Sequence, residues 1–304
     1  AQVPRLLLRP LPVKGQGQGP GGPMGAWKPP ATIEELFSKT AGSNFAGINR
    51  PTAGARSEFS YPEPKTGPFQ LYSLATPNGH KVGILLEELG IPYDAHVVNI
   101  GKSEQFSTGF IKANPNSKIP AAIDFDGPDG KPISLFESAS IMYYLCKKHG
   151  KFLPKDPRLE QECMNWLFWQ MAGQGPMSGN FGHFMVYAPG DAIEARDYGV
   201  ARYGMETMRL ADVLDKHLQG RTYIVGEEYS VADMACMPWA LMWFRGYKHS
   251  SGIGAREFLT ADRYVNVRSW IERLLERPAV QRGLRVCSTS PKPWLTEQIK
   301  WAKL

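Results

Sequence analysis

Short polar residues between an apolar run and an amphipathic segment form the first chemical pattern of this sequence. Residues 76–79 read TPNG, follow the apolar run 69–74, and precede apolar residues at the spacing of one helix face. A helix that begins here would direct free amides and a partial positive charge at an anion such as a thiolate, with Thr76 and Asn78 as added donors. Thr and Asn are also common as plain helix caps, so spacing alone leaves both interpretations open.

A proline at the start of a later apolar run is the second pattern. Residues 116–120 read NSKIP and lead into AAIDF. A cis Ile119–Pro120 bond would end the preceding loop and leave the Ile119 backbone free to pair with an extended peptide. A proline that merely begins a strand is the simpler alternative.

Glu137 and Ser138 form the third pattern, since they join the run ISLF to a segment of helical periodicity. Ser138 could present its hydroxyl and amide to a carboxylate, and Glu137 could hold an ammonium. The pair would then fit the zwitterionic end of an amino acid. A helix cap, with a glutamate favoured by the helix dipole, explains the same two residues.

Other side chains have a simpler interpretation than a chemical one. Glu87 and Glu88 could be paired carboxylates, but neighbours on a helix face about 100° apart, which predicts a solvated face. His183 and a cluster of aromatic residues could line a second-substrate site, although core packing is the commoner role of such residues. The cluster comprises Trp166, Phe168 and Trp169.

The cysteines argue against several kinds of chemistry. There are four, Cys146, Cys163, Cys236 and Cys287, with no CxxC pair and no Cys/His spacing typical of a metal site. We therefore expect reduced thiols, no disulfide framework and no metal. The first three lie in or near apolar helical stretches and are predicted to pack in the core.

The elements that must position these residues change character once along the chain. Strand, helix and strand are predicted from residue 69 to about 100, a polar loop to about 117, then a hairpin around the turn GPDG and a helix over 137–150. This order is the thioredoxin-like plan. After Pro157 strand patterns cease, and two segregated domains are expected. Helical periodicity covers residues 158–172, 191–219, 230–246 and 262–276, the third with a capping box at Ser230 and Asp233.

Composition supports two domains and limits the partners. The chain has 304 residues, of which 42% are apolar, and no run of 18 apolar residues predicts a membrane span. The net charge is +6, but residues 1–66 hold eight Lys/Arg against four Asp/Glu. Because the remaining residues are nearly neutral, we expect no binding to nucleic acid.

The first 66 residues predict an extension outside the compact domains. Residues 1–30 are rich in Gly and Pro, contain Arg5 and Arg9, and have no acidic residue before Glu34. This bias, with a start at alanine, predicts a processed transit segment and hence a mitochondrial or plastid matrix, with the cytoplasm otherwise. A truncated start is the alternative. Residues 31–66 are expected to form an arm on a surface, with residues 42–56 ordered.

The order of these motifs resembles the glutathione transferase family over residues 69–290. The match is nearer still to the nu class, the disulfide-bond oxidoreductases like YghU and YfcG, and FAGINRPTAGAR (45–56) resembles the arm of the YghU branch. The resemblance implies an α/β thioredoxin-like N-terminal domain plus an all-α C-terminal domain, the glutathione transferase architecture. The predicted limits are an extension 1–66, a thioredoxin-like glutathione-binding domain 67–152, a helical domain 158–290 and a tail 291–304. The nearer match is carried by TPNG, Gln105-Phe106, NPNSKIPA, NWLFWQ, GPM, GHF, YAP and ERPAVQRG.

The resemblance also implies a site. Glu137 and Ser138 would hold the γ-glutamyl end of glutathione, the Ile119 backbone would pair with its cysteinyl amide, and Thr76 and Asn78 would face the sulfur as catalytic groups. Each subunit would bind two glutathione molecules or one glutathione disulfide. The implied glutathione-binding set is Asn49, Thr76, Pro77, Asn78, Gln105, Lys118, Ile119, Pro120, Glu137, Ser138 and Arg202, with no metal.

Three positions depart from patterns found in the family. One glutamine contact of the YghU branch coincides with Met171, beside Gln170. Ala75 stands where many transferases have a serine, and the TPN pattern argues against Tyr72 as a catalytic tyrosine. Because no cysteine lies between residues 72 and 79, any redox chemistry should take its sulfur from glutathione.

The expected function is a glutathione-dependent disulfide-bond reductase with weak transferase or peroxidase activity. The resemblance also implies a homodimer that acts on small disulfides. A non-catalytic subunit or regulatory binding module is the alternative, because the long basic arm is not needed by the compact domains and could dock in a larger complex.

Overall fold

A computed structural model describes residues 30–40, 52–61, 65, 67–188 and 193–288. Contacts divide the chain into two compact units, Ala1–Ala41 and Gly42–Leu304. The described part of the first unit is a 3-10 helix, Ile33–Thr40, preceded by a bond from the Thr32 amide to Glu35 Oε1 at 3.3 Å. The predictions on residues 1–29, Asn49 and the tail 291–304 lie outside the described residues.

The predicted thioredoxin-like plan is confirmed in a four-stranded sheet. The strands are β1 (Phe69–Ser73), β2 (Tyr93–Val97), β3 (Ala121–Asp124) and β4 (Ile133–Phe136). They occur in the order β2-β1-β3-β4, with β1 and β2 parallel and the other two pairs antiparallel. Leu71 on β1 lies opposite Ala95 on one side and Ala122 on the other, and all five residues of β1 are buried.

Three helices belong to this sheet: α1 (Pro77–Leu89), α2 (Thr108–Ala113) and α3 (Ser138–His149). α1 ends at Gly90, whose φ of 67° is readily adopted only by glycine. α2 lies in the stretch predicted as loop. Its single turn and a half is too short for a periodic pattern, and the Ser107 hydroxyl caps it by accepting from the Phe110 amide at 3.3 Å.

The second half of the chain is helical, as predicted. Past Phe136, the described residues form helices, turns and one isolated bridge between Lys248 and Gly254. Two π-helical turns, Gln170–Gln174 and His183–Tyr187, flank α5. The helices are α4 (Pro157–Trp169), α5 (Gly175–Gly182), α6 (Ile193–His217), α7 (Val231–Arg245), α8 (Ala255–Phe258), α9 (Val265–Leu275) and α10 (Pro278–Gly283).

α7 is the central helix of this half. The predicted bond from Asp233 back to the Ser230 amide is present at 3.0 Å. The same carboxylate accepts from the Ile224 amide and from Trp270 Nε1, each at 2.9 Å. A buried carboxylate with this many donors joins the start of α7 to α9 and to the preceding loop.

α1 packs against α10 and α7, so the two halves share one interface. The expectation of a solvated face at Glu87 and Glu88 is wrong. Glu88 is 7% exposed and accepts two bonds from Arg277, at 2.7 and 2.8 Å, and Glu87 pairs with Arg282 at 2.6 Å. The periodicity of one helix could not reveal partners about 190 residues away.

The predicted burial of Cys146, Cys163 and Cys236 is confirmed, and Cys287, for which no burial was predicted, is buried too. All four thiols are free. The expectation for the aromatic cluster is correct only in part, because Phe168 is 68% exposed, whereas Trp166 packs between Trp169 and His217. Among the described residues, no helix is long and apolar enough to cross a membrane, and no group of three His, Cys, Asp or Glu residues could hold a metal ion.

Candidate functional site

The start of α1 is a helix N-terminus with free polar groups. Thr76 is the cap, and its Oγ1 accepts from the Gly79 amide at 3.3 Å. Capping uses only an acceptor lone pair of the hydroxyl, so its proton remains available to a ligand. Gly79 is required here, since a Cβ would lie 2.0 Å from the Leu74 carbonyl oxygen. The cap and the ligand-binding interpretation of Thr76 are therefore compatible.

Asn78 is oriented by a tryptophan from the helical half of the chain. Trp239 Nε1, on α7, donates to Asn78 Oδ1 at 2.8 Å. Because an indole N–H can only donate, the bond fixes which end of the amide faces it. The Nδ2 group, which has two N–H donors, then points away from Trp239, and Asn78 lines two cavities.

The indole of Trp239 lies against α5, where small residues make room for it. A Cβ on Gly179 would come within 3.2 Å of the indole ring, and one on Gly175 within 3.3 Å of Nε1. Close contact with helix backbone restricts the ring, so the donor to Asn78 has one position.

The first cavity has a volume of 200 Å³ and lies at the start of α1. The buried Gln105 Oε1 and Ser117 Oγ on its wall have no hydrogen-bond partner among the described residues. Buried polar atoms without partners are uncommon in folded proteins and indicate a missing ligand or water. The cavity is lined by Thr76, Pro77, Asn78, Ile100, Gln105, Ser117, Lys118, Ile119 and Trp239.

The loop before β3 contributes backbone to this cavity. The Ile119–Pro120 bond is cis, as one of the two alternatives predicted. Within the described residues, neither the N–H nor the C=O of Ile119 bonds to another backbone group. Lys118 is exposed, and its carbonyl is held by Asn114 Nδ2 at 2.6 Å. A ligand with an extended backbone could pair with Ile119.

The second cavity, of 520 Å³, adjoins the first and shares Asn78, Lys118 and Trp239 with it. Glu137 stands on its wall with φ 64° and ψ 118°, a strained conformation for a residue with a Cβ. Its side chain makes no capping bond and, among the described residues, no ion pair. Glu137 is therefore the cap of α3 by position, as the simpler alternative has it, but its carboxylate makes no capping bond and can bind a cation.

Ser138 opens α3 and is buried beside Glu137. Its Oγ accepts from Lys81 Nζ at 3.1 Å. Lys81, on α1, is 1% exposed and also donates to Gln170 Oε1. Burial lowers the pKa of Lys81 to about 7, although Cys236 and Glu137 partly oppose this effect. Gln170 Nε2 is buried on the same wall without a partner among the described residues.

Most of the glutathione-binding residues predicted from the sequence lie at these two cavities. Thr76, Pro77, Asn78, Gln105, Lys118 and Ile119 line the first, Glu137 lines the second, and Ser138 is bonded to Lys81 on the second cavity's wall. Pro120 is buried behind Ile119. Arg202 is exposed on α6, lines neither cavity, and its role stays a prediction.

The lining residues that were not predicted from the sequence include Lys81, Ser117, Gln170 and Trp239. Gln170 had a sequence signal, because it neighbours Met171, where the resemblance places a glutamine contact. A third cavity, of 640 Å³, lies between the loops 150–156 and 225–230. It shares no lining residue with the other two cavities, and Asp156 on its wall is occupied as the cap of α4.

The segment that follows Asn49 in the chain lies next to Gln105. The Arg56 amide donates to the Phe106 carbonyl at 2.7 Å, and the guanidinium lies 3.4 Å from the centre of the Phe106 ring. Ser57 then pairs with Ser107. The described part of the arm is therefore tied to the loop that forms the first cavity.

A thioredoxin-like sheet followed by helices, with cavities at the start of α1 and of α3, defines a class of two-domain thiol-binding proteins. Family models agree with it: the N-terminal domain of glutathione S-transferases matches residues 75–148, and the C-terminal domain matches residues 200–278. The disulfide-bond oxidoreductase YghU of Escherichia coli is 45% identical over 269 residues, covering 86% of this chain and 89% of that protein. The chain belongs to the glutathione S-transferase family.

Solved structures agree with the assignment. The glutathione transferase YghU of Streptococcus pneumoniae, complexed with glutathione, is 42% identical with a TM-score of 0.77, and the match covers 87% of this chain and 99% of that one. A glutathione transferase of Pseudomonas putida has one glutathione disulfide bound per subunit. It is 42% identical with a TM-score of 0.66, over 72% of this chain and 91% of that one.

Proposed function

We propose that this protein is a glutathione-dependent disulfide-bond reductase that takes its reactive sulfur from bound glutathione. The observation that carries the proposal is the pair of adjoining cavities, which meet at Asn78 beside the start of α1. Two glutathione molecules, or one glutathione disulfide, would occupy them with their sulfurs near Thr76 and Asn78. The YghU relatives support this choice by their names and bound ligands.

The groups available match the parts of one glutathione. The free carboxylate of Glu137 would hold the γ-glutamyl ammonium, and Ser138 at the start of α3 would hold the adjacent carboxylate. The unpaired backbone of Ile119 would bond to the cysteinyl amide. A glutathione bound in this extended conformation would run from the second cavity into the first. Its sulfur would then reach the amides at the start of α1.

The remaining predicted groups would bind the second glutathione. Gln105 Oε1, buried without a described partner, would accept from one of its N–H groups. Lys118 is exposed on the wall of both cavities and would attract a carboxylate. Asn49 and Arg202 are assigned to this molecule by the resemblance alone.

The reaction proceeds by two exchanges at sulfur. The first glutathione loses its thiol proton, and its thiolate, stabilised at the start of α1, attacks one sulfur of the substrate disulfide. A glutathione–substrate mixed disulfide forms, and the other substrate sulfur leaves as a thiolate and takes a proton. The second glutathione thiolate attacks the glutathione sulfur of the mixed disulfide. Glutathione disulfide and the second substrate thiol are released, so two glutathiones are oxidised for each disulfide reduced.

A protein thiol is a poor candidate for the nucleophile. Burial raises the pKa of Cys146 and Cys287 to about 12 and of Cys163 to about 11, and it raises the pKa of Cys236 well above its ordinary value. Thiolate is the reactive form, and these cysteines hold almost none of it near neutral pH. None of the four lines either cavity.

The proposal is tested with a variant in which all four cysteines are replaced by alanine or serine. We expect it to reduce bis(2-hydroxyethyl) disulfide with glutathione at a rate near that of the wild type, once circular dichroism confirms folding. A folded variant that binds glutathione but is inactive would show that a protein thiol does the work. A wild type that binds glutathione and reduces no disulfide would favour the non-catalytic subunit or regulatory module. Weak transferase and peroxidase activities are measured on the same samples.

We further propose a homodimer, on the basis of the family resemblance. Phe168, exposed on α4, is an apolar side chain that a second copy would cover. A larger complex would use the basic N-terminal arm, residues 1–66. Light scattering that gives the mass of one chain at micromolar concentration would contradict the dimer, and an unchanged mass in cell extract after deletion of residues 1–66 would contradict the larger complex.

We place the protein in a mitochondrial or plastid matrix. The support is the acid-poor start with Arg5 and Arg9. Fluorescent tagging of the full-length precursor is the test, and a signal confined to the cytosol would contradict the proposal.

A further inference from the structure

Lys81 is a buried ammonium group whose direct partners are all neutral. Its Nζ contacts Ser138 Oγ, Gln170 Oε1 and, at 3.5 Å, Met171 Sδ. Among the described residues it forms no ion pair with a carboxylate. A buried charge without a counter-charge is costly, and the group responds by losing its proton or by binding an anion.

The surroundings of Lys81 add positive potential. Lys81 stands in the second turn of α1, and its partner Ser138 is the first residue of α3. Two helix N-termini with partial positive charge therefore point to the same wall of the second cavity. Gln170 Nε2, 0% exposed, adds a donor without a partner among the described residues.

The titratable groups around Lys81 do not supply the missing anion. Glu137, at the junction of β4 and α3, is exposed and is needed for the ligand ammonium. Cys236 on α7 stays a neutral thiol, because burial raises its pKa well above the ordinary value. Lys118, across the cavity, has the same charge as Lys81. α10 packs on the opposite side, where Arg282 is paired with Glu87.

We propose that Lys81 is the counter-charge for the α-carboxylate of the γ-glutamyl residue, which it binds together with Ser138 while taking up a proton from solvent. The inference rests on the proposed glutathione site and deepens it. The γ-glutamyl end of the ligand is then recognised as a zwitterion by two side chains of opposite charge, Glu137 and Lys81. Gln170 positions Lys81 through its Oε1 and can donate from Nε2 to the same carboxylate.

Because Lys81 takes up a proton on binding, the affinity for the ligand should fall as the pH rises. In the free protein the pKa of Lys81 is about 7, and a bound carboxylate raises it. Affinity is then fully present below the free pKa and weakens as the pH rises from about 7 toward the higher pKa of the complex. Without the lysine this dependence is lost.

The test uses S-methylglutathione, which has no titrating thiol, and an S-methylated analogue with 4-aminobutyrate in place of the γ-glutamyl residue, which lacks the α-carboxylate. Lys81→Met should weaken the binding of S-methylglutathione about ten- to a hundredfold, because one charge-assisted hydrogen bond is lost. The affinity for the analogue should stay nearly unchanged. Lys147→Met, an exposed lysine on α3, is the control for loss of one charge and should leave both affinities unchanged.

Calorimetric titration near pH 8 in two buffers of different ionisation enthalpy counts protons. Wild type should take up on the order of one proton with S-methylglutathione and none with the analogue. The ligand's own ammonium contributes equally in wild type and in Lys81→Met, so the difference between the two proteins should be on the order of one proton. Because the analogue comparison uses wild type alone, it decides the question even if Lys81→Met fails to fold.

Equal proton uptake with both ligands, or equal loss of affinity for both in Lys81→Met, would overturn the role of Lys81 while leaving the glutathione site intact. A wild type that binds neither ligand would overturn the proposed function together with this inference.

Discussion

The side-chain amide of Asn78 has two roles. Its Oδ1 accepts from Trp239 Nε1, and its Nδ2 would donate to the proposed glutathione sulfur. A donor directed at a thiolate contributes about 1.5–3 kcal/mol. Asn78→Ala should therefore slow disulfide reduction about ten- to a hundredfold, since each 1.4 kcal/mol is a factor of ten. The measurement is kcat at saturating glutathione, and a folded variant with wild-type kcat would assign the thiolate to another donor.

Glu137→Ala, in the same site, should affect KM where Asn78→Ala affects kcat. Its carboxylate would bind the γ-glutamyl ammonium, which is remote from the sulfur and is held equally before and during reaction. Such uniform binding lowers KM without raising kcat. We expect a raised KM for glutathione and an unchanged kcat, so a loss confined to kcat would place Glu137 nearer the chemistry.

The sequence predicted the residues of this site that lie within local motifs. Thr76, Asn78 and Ser138 each occur where a strand passes into a helix, and that junction is readable from a few neighbouring residues. Lys81 was not predictable, because its partners Ser138 and Gln170 are 57 and 89 residues away in the chain. A lysine on an amphipathic helix is ordinarily solvated, and only the packed structure reveals its burial.

At the scale of elements, α7 connects the helical half to the start of α1. Trp239→Phe keeps an aromatic ring but removes the indole N–H donor, so the Asn78 amide can rotate. Loss of a neutral hydrogen bond of about 0.5–1.5 kcal/mol should lower kcat about two- to tenfold. In an Asn78→Ala background the same change should have almost no further effect on kcat, because the two residues act through one contact.

Trp243→Phe is the matched control for this prediction. Trp243 lies on the same helix and donates its Nε1 to Ser178 Oγ at 3.0 Å, but it lines neither cavity. It should lower thermal stability and leave kcat unchanged. An equal loss of kcat in both variants would mean that α7 acts through general packing and not through the orientation of Asn78.

Elements with a strong pattern were predicted well, and those fixed by tertiary contacts were not. β1, α1 and α3 have clear periodicity and clear ends. α2 is short and held by its cap and by the segment that contains Ser57. The π-helical turn Gln170–Gln174 continues the periodicity of α4 in the sequence, so nothing local indicates that Gln170 turns inward.

At the scale of the whole molecule, the interface between α1 and the helical half should make the body unfold as one unit. Arg277→Ala removes the partner of Glu88, which is 7% exposed, and should lower the free energy of unfolding by about 1.5–3 kcal/mol. Arg282→Ala breaks the more exposed pair with Glu87 and should cost less than about 1 kcal/mol. Urea unfolding followed by both tryptophan fluorescence and circular dichroism is the measurement.

A single transition shared by both probes is expected for wild type and for both variants. Two separated transitions would mean that the thioredoxin-like half and the helical half are independent. Equal losses in Arg277→Ala and Arg282→Ala would mean that burial of Glu88 adds nothing to the ion pair.

The buried cysteines have a consequence for the lifetime of the catalyst. An enzyme that uses its own thiolate is exposed to over-oxidation to sulfinic acid and to capping by glutathione disulfide, its own product. Here every thiol of the chain is enclosed and its pKa is raised. The sulfur that suffers damage belongs to a small molecule that leaves after each turnover. A peroxide burst would therefore consume glutathione and spare the protein, which would resume work as soon as the reduced pool recovered.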